Sequence, residues 1–151
     1  MGGWEQGRGE GVPIAAVELT APAVAPGLIP RGRCSFYLYD AATDEFRRED
    51  YYPHHRVPRN VIDPVGTTHM KTQILGGGGK TFRIDGVVER HSYLIPPGSG
   101  YKAVIAVPVI FGTKEVGVLA VDAPEYSDFN NDHVTLMESL AAVLATAYAL
   151  S

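Results

Sequence analysis

The sequence predicts a mixed α/β domain of the α+β kind: a central antiparallel sheet closed by a C-terminal helix. Two observations carry that reading. Two nearly continuous apolar runs, Ala103 to Phe111 and Val116 to Asp122, flank the turn residues Gly112, Thr113, Lys114 and Glu115. That is the pattern of a hairpin whose strands lie centrally in a sheet, buried on both faces. Further on, Val134, Met137, Leu140, Ala141, Leu144, Ala147 and Tyr148 recur at helical spacing, giving one apolar face that can pack on that sheet.

The remaining elements follow in order. Residues 1–32 read as a flexible or irregular N-terminal segment and residues 33–151 as the folded domain. Gly2, Gly3, Gly7, Gly9 and Gly11 crowd the first positions, and Pro13, Pro22, Pro26 and Pro30 recur through an alanine- and valine-rich stretch. Residues 14–21 suit two helical turns or a short strand, but the prolines exclude one long helix. Arg33 to Tyr39 is rich in aromatic and branched residues and predicts a strand. Asp40 to Glu45 is a polar turn, and Phe46 to Tyr52 is the antiparallel partner. Pro53, Pro58 and Pro64 predict irregular chain. Thr67 or Thr68 is expected to cap a short helix through Leu75, stopped by the glycines from Gly76. Lys80 to Asp85 predicts a short strand, and residues 86–100 a surface loop. Pro108 lacks a ladder donor and marks a bulge or a strand boundary. Asn130 or Asn131 caps the final helix, with Asp132 in its first turn.

Composition excludes several classes of function. The 151 residues suffice for one domain with a genuine core. A net charge of −4, with no basic cluster larger than the local pairs Arg31 and Arg33, Arg47 and Arg48, and Arg56 and Arg59, argues against a nucleic-acid partner. No apolar run reaches the length of a membrane span, so no membrane partner is expected, and the polar N-terminus does not resemble a signal peptide. The single cysteine, Cys34, forms neither an internal disulfide nor a CxxC site, and its apolar neighbours predict a buried small hydrophobe. A cytoplasmic setting follows.

Familiar catalytic motifs fail on inspection. Gly79-Lys80-Thr81 follows a glycine run, but a phosphate loop needs a glycine where Ile74 stands, and a helix where Thr81 to Ile84 predicts a strand. The five histidines, His54, His55, His69, His91 and His133, include no pair at the i,i+4 spacing of a zinc helix. His133 is expected at the surface. No Gly-x-Ser-x-Gly elbow exists.

One constellation holds. Val107-Pro108-Val109, then Val116-Gly117-Val118-Leu119-Ala120-Val121-Asp122, then Phe129-Asn130-Asn131-Asp132 and an alanine-rich helix resemble the C-terminal half of GAF domains. Ser35 to Asp40 similarly resembles the first strand of that family. The resemblance covers residues 33–150 and implies helices on one face of the sheet and a loop-and-short-helix layer over a pocket on the other. The PAS fold is the architectural runner-up. The resemblance has departures. The long opening helix is missing or broken. The Asn-Lys pair and the Phe-Asp-Glu motif of cyclic-nucleotide-binding relatives are replaced by Ala123-Pro124 and Phe129-Asn130-Asn131. The pocket cysteine of bilin-binding relatives is lacking, and one cysteine falls short of the several used by the family's free-methionine-sulfoxide reductases.

The resemblance implies a sensory or regulatory module and no enzyme, binding an unidentified small molecule between the sheet and residues 66–101. Thr68, His69, Thr72, Tyr93, Tyr101 and Asp122 are the candidate pocket residues. His69 and Thr72 share one helix face, the two tyrosines bring an apolar body with a polar tip, and Asp122 is either a ligand acceptor or a loop-capping aspartate. No metal site and no particular cofactor is indicated. A ligand-free dimerisation module is the alternative, and a degenerate sulfoxide reductase the third. The expected macromolecular partner is a second copy or a neighbouring signalling module. Ala141, Ala145 and Ala149, expected to be exposed, would allow another helix close approach. A final helix alone leaves apolar sheet to be covered by residues 14–29 as an irregular segment or, as the favoured reading, by a second copy in a symmetric homodimer.

Overall fold

The computed structural model describes residues 32–52, 61–76, 81–84, 100–125 and 129–150. Five antiparallel strands form one sheet in the order β2-β1-β5-β4-β3. β1 spans Arg33–Asp40, β2 Glu45–Tyr52, β3 Phe82–Ile84, β4 Ala103–Phe111 and β5 Lys114–Ala123. The expected hairpins are both present. In the first turn Asp40 Oδ1 accepts from the Ala42 N–H at 3.0 Å, and Asp44 takes a left-handed φ of 53°, a conformation aspartate tolerates better than most residues. The second turn is two residues, with Gly112 at φ 62°.

Two bulges interrupt the ladders. Phe36 pairs with Asp50 and Tyr37 with Arg48, so Glu49 is the extra residue of β2. Val109 pairs with Gly117 and Ile110 with Glu115, so Val116 is the extra residue of β5. Pro108 itself lies within β4, opposite Val118. The strand therefore continues through Pro108, and among the described residues β3 pairs with β4 from Val104 to Ala106.

The long apolar runs of β4 and β5 are explained by burial on both sides. On one face α2, Asn131–Ala149, packs through Met137, Leu140 and Leu144 onto Phe36, Ile105 and Leu119. On the other, α1, Pro64–Met70, and the wider π-helical turn Lys71–Leu75 that continues it pack through Met70, Ile74 and Leu75 onto Phe46, Val104 and Val118. The described residues thus have a helix on one face and a short helical layer on the other, as the fold class required.

Three local expectations are corrected. α1 begins at Pro64, and its cap is Asp63, whose Oδ1 accepts from the Gly66 N–H at 2.7 Å. Neither Thr67 nor Thr68 caps it. Pro64 opens the helix because the first helical position needs no N–H. His133 is buried, at 4% exposure, because it completes a capping box. Asn130 Oδ1 accepts from the His133 N–H at 3.2 Å, while the Asn130 N–H donates to His133 Nδ1 at 2.9 Å. Ala141 and Ala145 are buried against the sheet, at 4% each. They belong to the core face of α2, and its open face carries Ala142, Val143 and Thr146. The irregular segment expected before Arg33, the glycine run from Gly77 and the loop expected over 86–99 lie outside the described residues.

Candidate functional site

Side chains alternate across a strand, so the residues of β1 and β5 that face α1 can be counted from the register. Arg33, opening β1, stands opposite Asp122 near the end of β5, on the same sheet face as Tyr37, Val118 and Ala120. Arg33 Nε donates to Asp122 Oδ2 at 3.0 Å and Arg33 Nη2 to the same oxygen at 2.7 Å. Tyr101 lies over the guanidinium, with Arg33 Cζ 4.6 Å from the ring centroid, within cation–π range. Arg33 is 7% exposed and Asp122 3%, so both charges are out of water.

Burial of an ion pair is expensive, and the expense shows in the protonation of Asp122. Its carboxyl is pushed up to about 6, desolvation outweighing the attraction of Arg33. Arginine stays charged at any ordinary pH. The site is therefore a fixed guanidinium, a carboxylate that takes up a proton in mildly acidic solution, and an aromatic cover. Such a cluster offers donors and acceptors to a polar ligand.

The sequence-predicted residues divide in the structure. Asp122 and Tyr101 come together through Arg33. Thr68 and Thr72 are exposed, and their hydroxyls donate to their own helix, Thr68 Oγ1 to the Pro64 carbonyl at 3.2 Å and Thr72 Oγ1 to the Thr68 carbonyl at 3.0 Å. His69 is half-buried on α1. The buried threonine is Thr67, whose hydroxyl reaches toward the Ile62 carbonyl at 3.5 Å. Tyr93 lies outside the described residues. Asp122 is not a loop cap, since its hydrogen-bond partner is a cross-strand arginine. Sequence reasoning misses Arg33, which reads as an ordinary strand-opening charge. The available signal is a cation and an anion terminating two apolar strands, which only the register brings opposite each other.

A second polar group ties the π-helical turn after α1 to the first hairpin. Asp44 Oδ1 accepts from the Tyr39 hydroxyl at 2.7 Å and from Lys71 Nζ at 2.9 Å. The shared bonds hold the Asp44 carboxyl below its usual range and raise Lys71. Cys34 points to the opposite face of the sheet, among the residues under α2, where burial pushes its thiol up to about 12. Among the described residues, no group of three or more histidine, cysteine, aspartate or glutamate side chains is placed to hold a metal ion.

The family profile described as GAF domain matches residues 32–149. No curated protein matches the sequence. Among solved structures, the chain is similar to a GAF domain region from Geobacter sulfurreducens PCA, at 17% identity and a TM-score of 0.74, covering 98% of this chain and 99% of that one. It is similar to the GAF domain of a phosphoenolpyruvate-protein phosphotransferase from Coxiella burnetii, at 15% identity and a TM-score of 0.68, over 94% and 83% of the two chains. It is also similar to the free methionine-R-sulfoxide reductase of Neisseria meningitidis, solved with its substrate, at 21% identity and a TM-score of 0.66, over 93% and 84%. At such identities these structures establish the fold. The profile match over most of the sequence, on a sheet layered in the way the resemblance implied, establishes that this chain belongs to the GAF domain family, whose known roles are sensory and regulatory.

Proposed function

We propose that this chain is a sensory module with no catalytic chemistry of its own, binding a small polar molecule on the α1 face of the sheet. The observation that carries the proposal is the buried Arg33–Asp122 pair under Tyr101. Both arginine bonds fall on Oδ2, so Asp122 Oδ1 is the oxygen that accepts from a ligand donor. A ligand that donates to Oδ1 shares the carboxylate with Arg33, the first residue of β1, and draws part of its charge from that ion pair. Occupancy then alters how firmly the start of that strand is held, which is a differential contact of the kind any switch needs.

The enzyme reading is disfavoured by the sole cysteine. Reductase chemistry runs through thiolates, and Cys34 is buried on the other face with its thiol pushed up to about 12. The protein works in the cytoplasm and pairs as a homodimer through the open face of α2, a reading supported by Val143, 51% exposed, on a helix whose only charges are Asp132 and Glu138 among its nineteen residues. Among the described residues no helix is long and apolar enough to cross a membrane.

Native mass spectrometry of the purified chain tests both parts. The expected result is a species at twice the 16.3 kDa of one chain, carrying a small-molecule adduct that Asp122→Asn removes. Turnover of free methionine-R-sulfoxide that depends on Cys34 would sink the non-enzymatic reading. A ligand retained equally by the Asp122→Asn variant would sink the site.

A further inference from the structure

We infer that the α2 face carries a second ligand site, built by the two β-bulges, for a small organic ammonium ion with an apolar body. A cleft of about 420 Å3 opens between the last turn of α2 and the hairpin ends of β1, β2 and β5. That volume is within the range of small-molecule sites, about 300–1,000 Å3. Leu38, Val116 and Tyr148 supply its apolar lining, and both extra residues of the sheet, Glu49 of β2 and Val116 of β5, contribute to it. Bulges re-aim side chains that a regular ladder would turn elsewhere, and they recur beside binding sites. Here β1 runs between two of them, and both serve one cleft.

The charge of the lining selects the ligand. Asp40, Glu49 and Glu115 stand against Arg47 and Lys114, and Arg47 is already paired with Glu45 at 2.5 Å. The balance is negative, above an apolar lining, which suits a cation carrying hydrocarbon and disfavours an anion. Glu49 is the anchor. It is half-buried, and its Oε2 accepts from the Tyr148 hydroxyl at 3.0 Å. The Tyr148 ring also packs on Phe36, with centroids 5.5 Å apart. An ammonium ion that takes up Glu49 competes with that hydroxyl, so the last turn of α2 reports occupancy of a cleft on the opposite side of the sheet from the Arg33–Asp122 pair.

The test is an amide NMR titration of the intact chain with phenethylammonium, using 2-phenylethanol as the neutral isostere and 3-phenylpropionate as the anionic one. The expected result is saturable shifts at Leu38, Glu49, Val116 and Tyr148 with the ammonium, binding at least about tenfold weaker for the alcohol, and none for the carboxylate. Glu49→Gln, nearly isosteric, should weaken the ammonium about tenfold while Asp122→Asn leaves it unchanged, which separates this site from the one proposed above. Equal binding of all three compounds overturns the inference. So does an ammonium response mapping away from the cleft, or none up to about 10 mM.

Discussion

Gly117 stands opposite Leu38 in the β1–β5 ladder, beside the bulged Val116. A methyl group on it would lie 2.0 Å from the Tyr37 carbonyl oxygen, 3.0 Å from the Tyr37 carbonyl carbon and 3.2 Å from Leu38 Cα. All three atoms are backbone of the adjoining strand, so no side chain can rotate away to make room. Relief requires β1 and β5 to part by roughly 1 Å, against an ordinary strand spacing of about 4.8 Å. Losing two neighbouring ladder bonds costs about 1 kcal/mol each, and residual overpacking costs about 1–3 kcal/mol more. Gly117→Ala should therefore destabilise by roughly 3–5 kcal/mol, a large share of the 5–15 kcal/mol typical of a domain. Urea unfolding followed by circular dichroism measures it, with Gly112→Ala as the reference. Gly112 has φ 62°, and a methyl group on it would meet nothing within 4 Å, so its variant carries only the left-handed backbone cost of about 1–2 kcal/mol. If Gly117→Ala costs no more than Gly112→Ala, the close approach is wrong and the β1–β5 register falls with it.

Asp122 makes stability depend on pH in an unusual direction. Its folded pKa is raised to about 6 from 3.8, so between those values the folded state keeps a proton that the unfolded chain has lost. Stability should fall as pH rises from about 3 to about 7, by on the order of 3 kcal/mol in all, and then level off. Urea midpoints across that range should show the slope in the wild type and lose it in Asp122→Asn. Leu119 and Leu140 are both buried at the interface of β5 and α2, and truncating either to alanine should cost roughly 2–5 kcal/mol in the same unfolding assay. Cys34 should resist a disulfide exchange reagent at pH 8 until the protein unfolds, because its thiol is buried and pushed up to about 12; rapid labelling of the folded protein would contradict the placement of β1. Calorimetry with cyclic GMP and cyclic AMP should show nothing tighter than about 100 μM, near −5.5 kcal/mol, since Asn130 is committed to capping α2.

Much of the architecture is legible in the sequence because its determinants are local. The β4–β5 hairpin declares itself through two apolar runs around Gly112, and α2 through periodicity and the Asn130 cap, all within a few residues of chain. The burial of Cys34 follows from its apolar neighbours in the same way. α1 is also local, yet the sequence alone sets its start a turn late, because Pro64 serves equally as a helix breaker and as a first helical residue. Other features depend on how elements meet. Ala141 and Ala145 face the core because of the rotation of α2 against the sheet, and a ring contact with Phe129, 5.9 Å between centroids, helps bury His133. The Arg33–Asp122 pair joins residues 89 positions apart. A strand's alternation says only that each charge lies on one of two faces, and a shift of one residue in register would turn them apart. The sequence by itself determined which segments become strands and helices, since hydrophobic period and capping act over single turns. The tertiary structure alone decided which charges meet, where the bulges place Glu49 and Val116, and which backbones come too close for any side chain at Gly117, because register and strand spacing are properties of segments far apart in the chain.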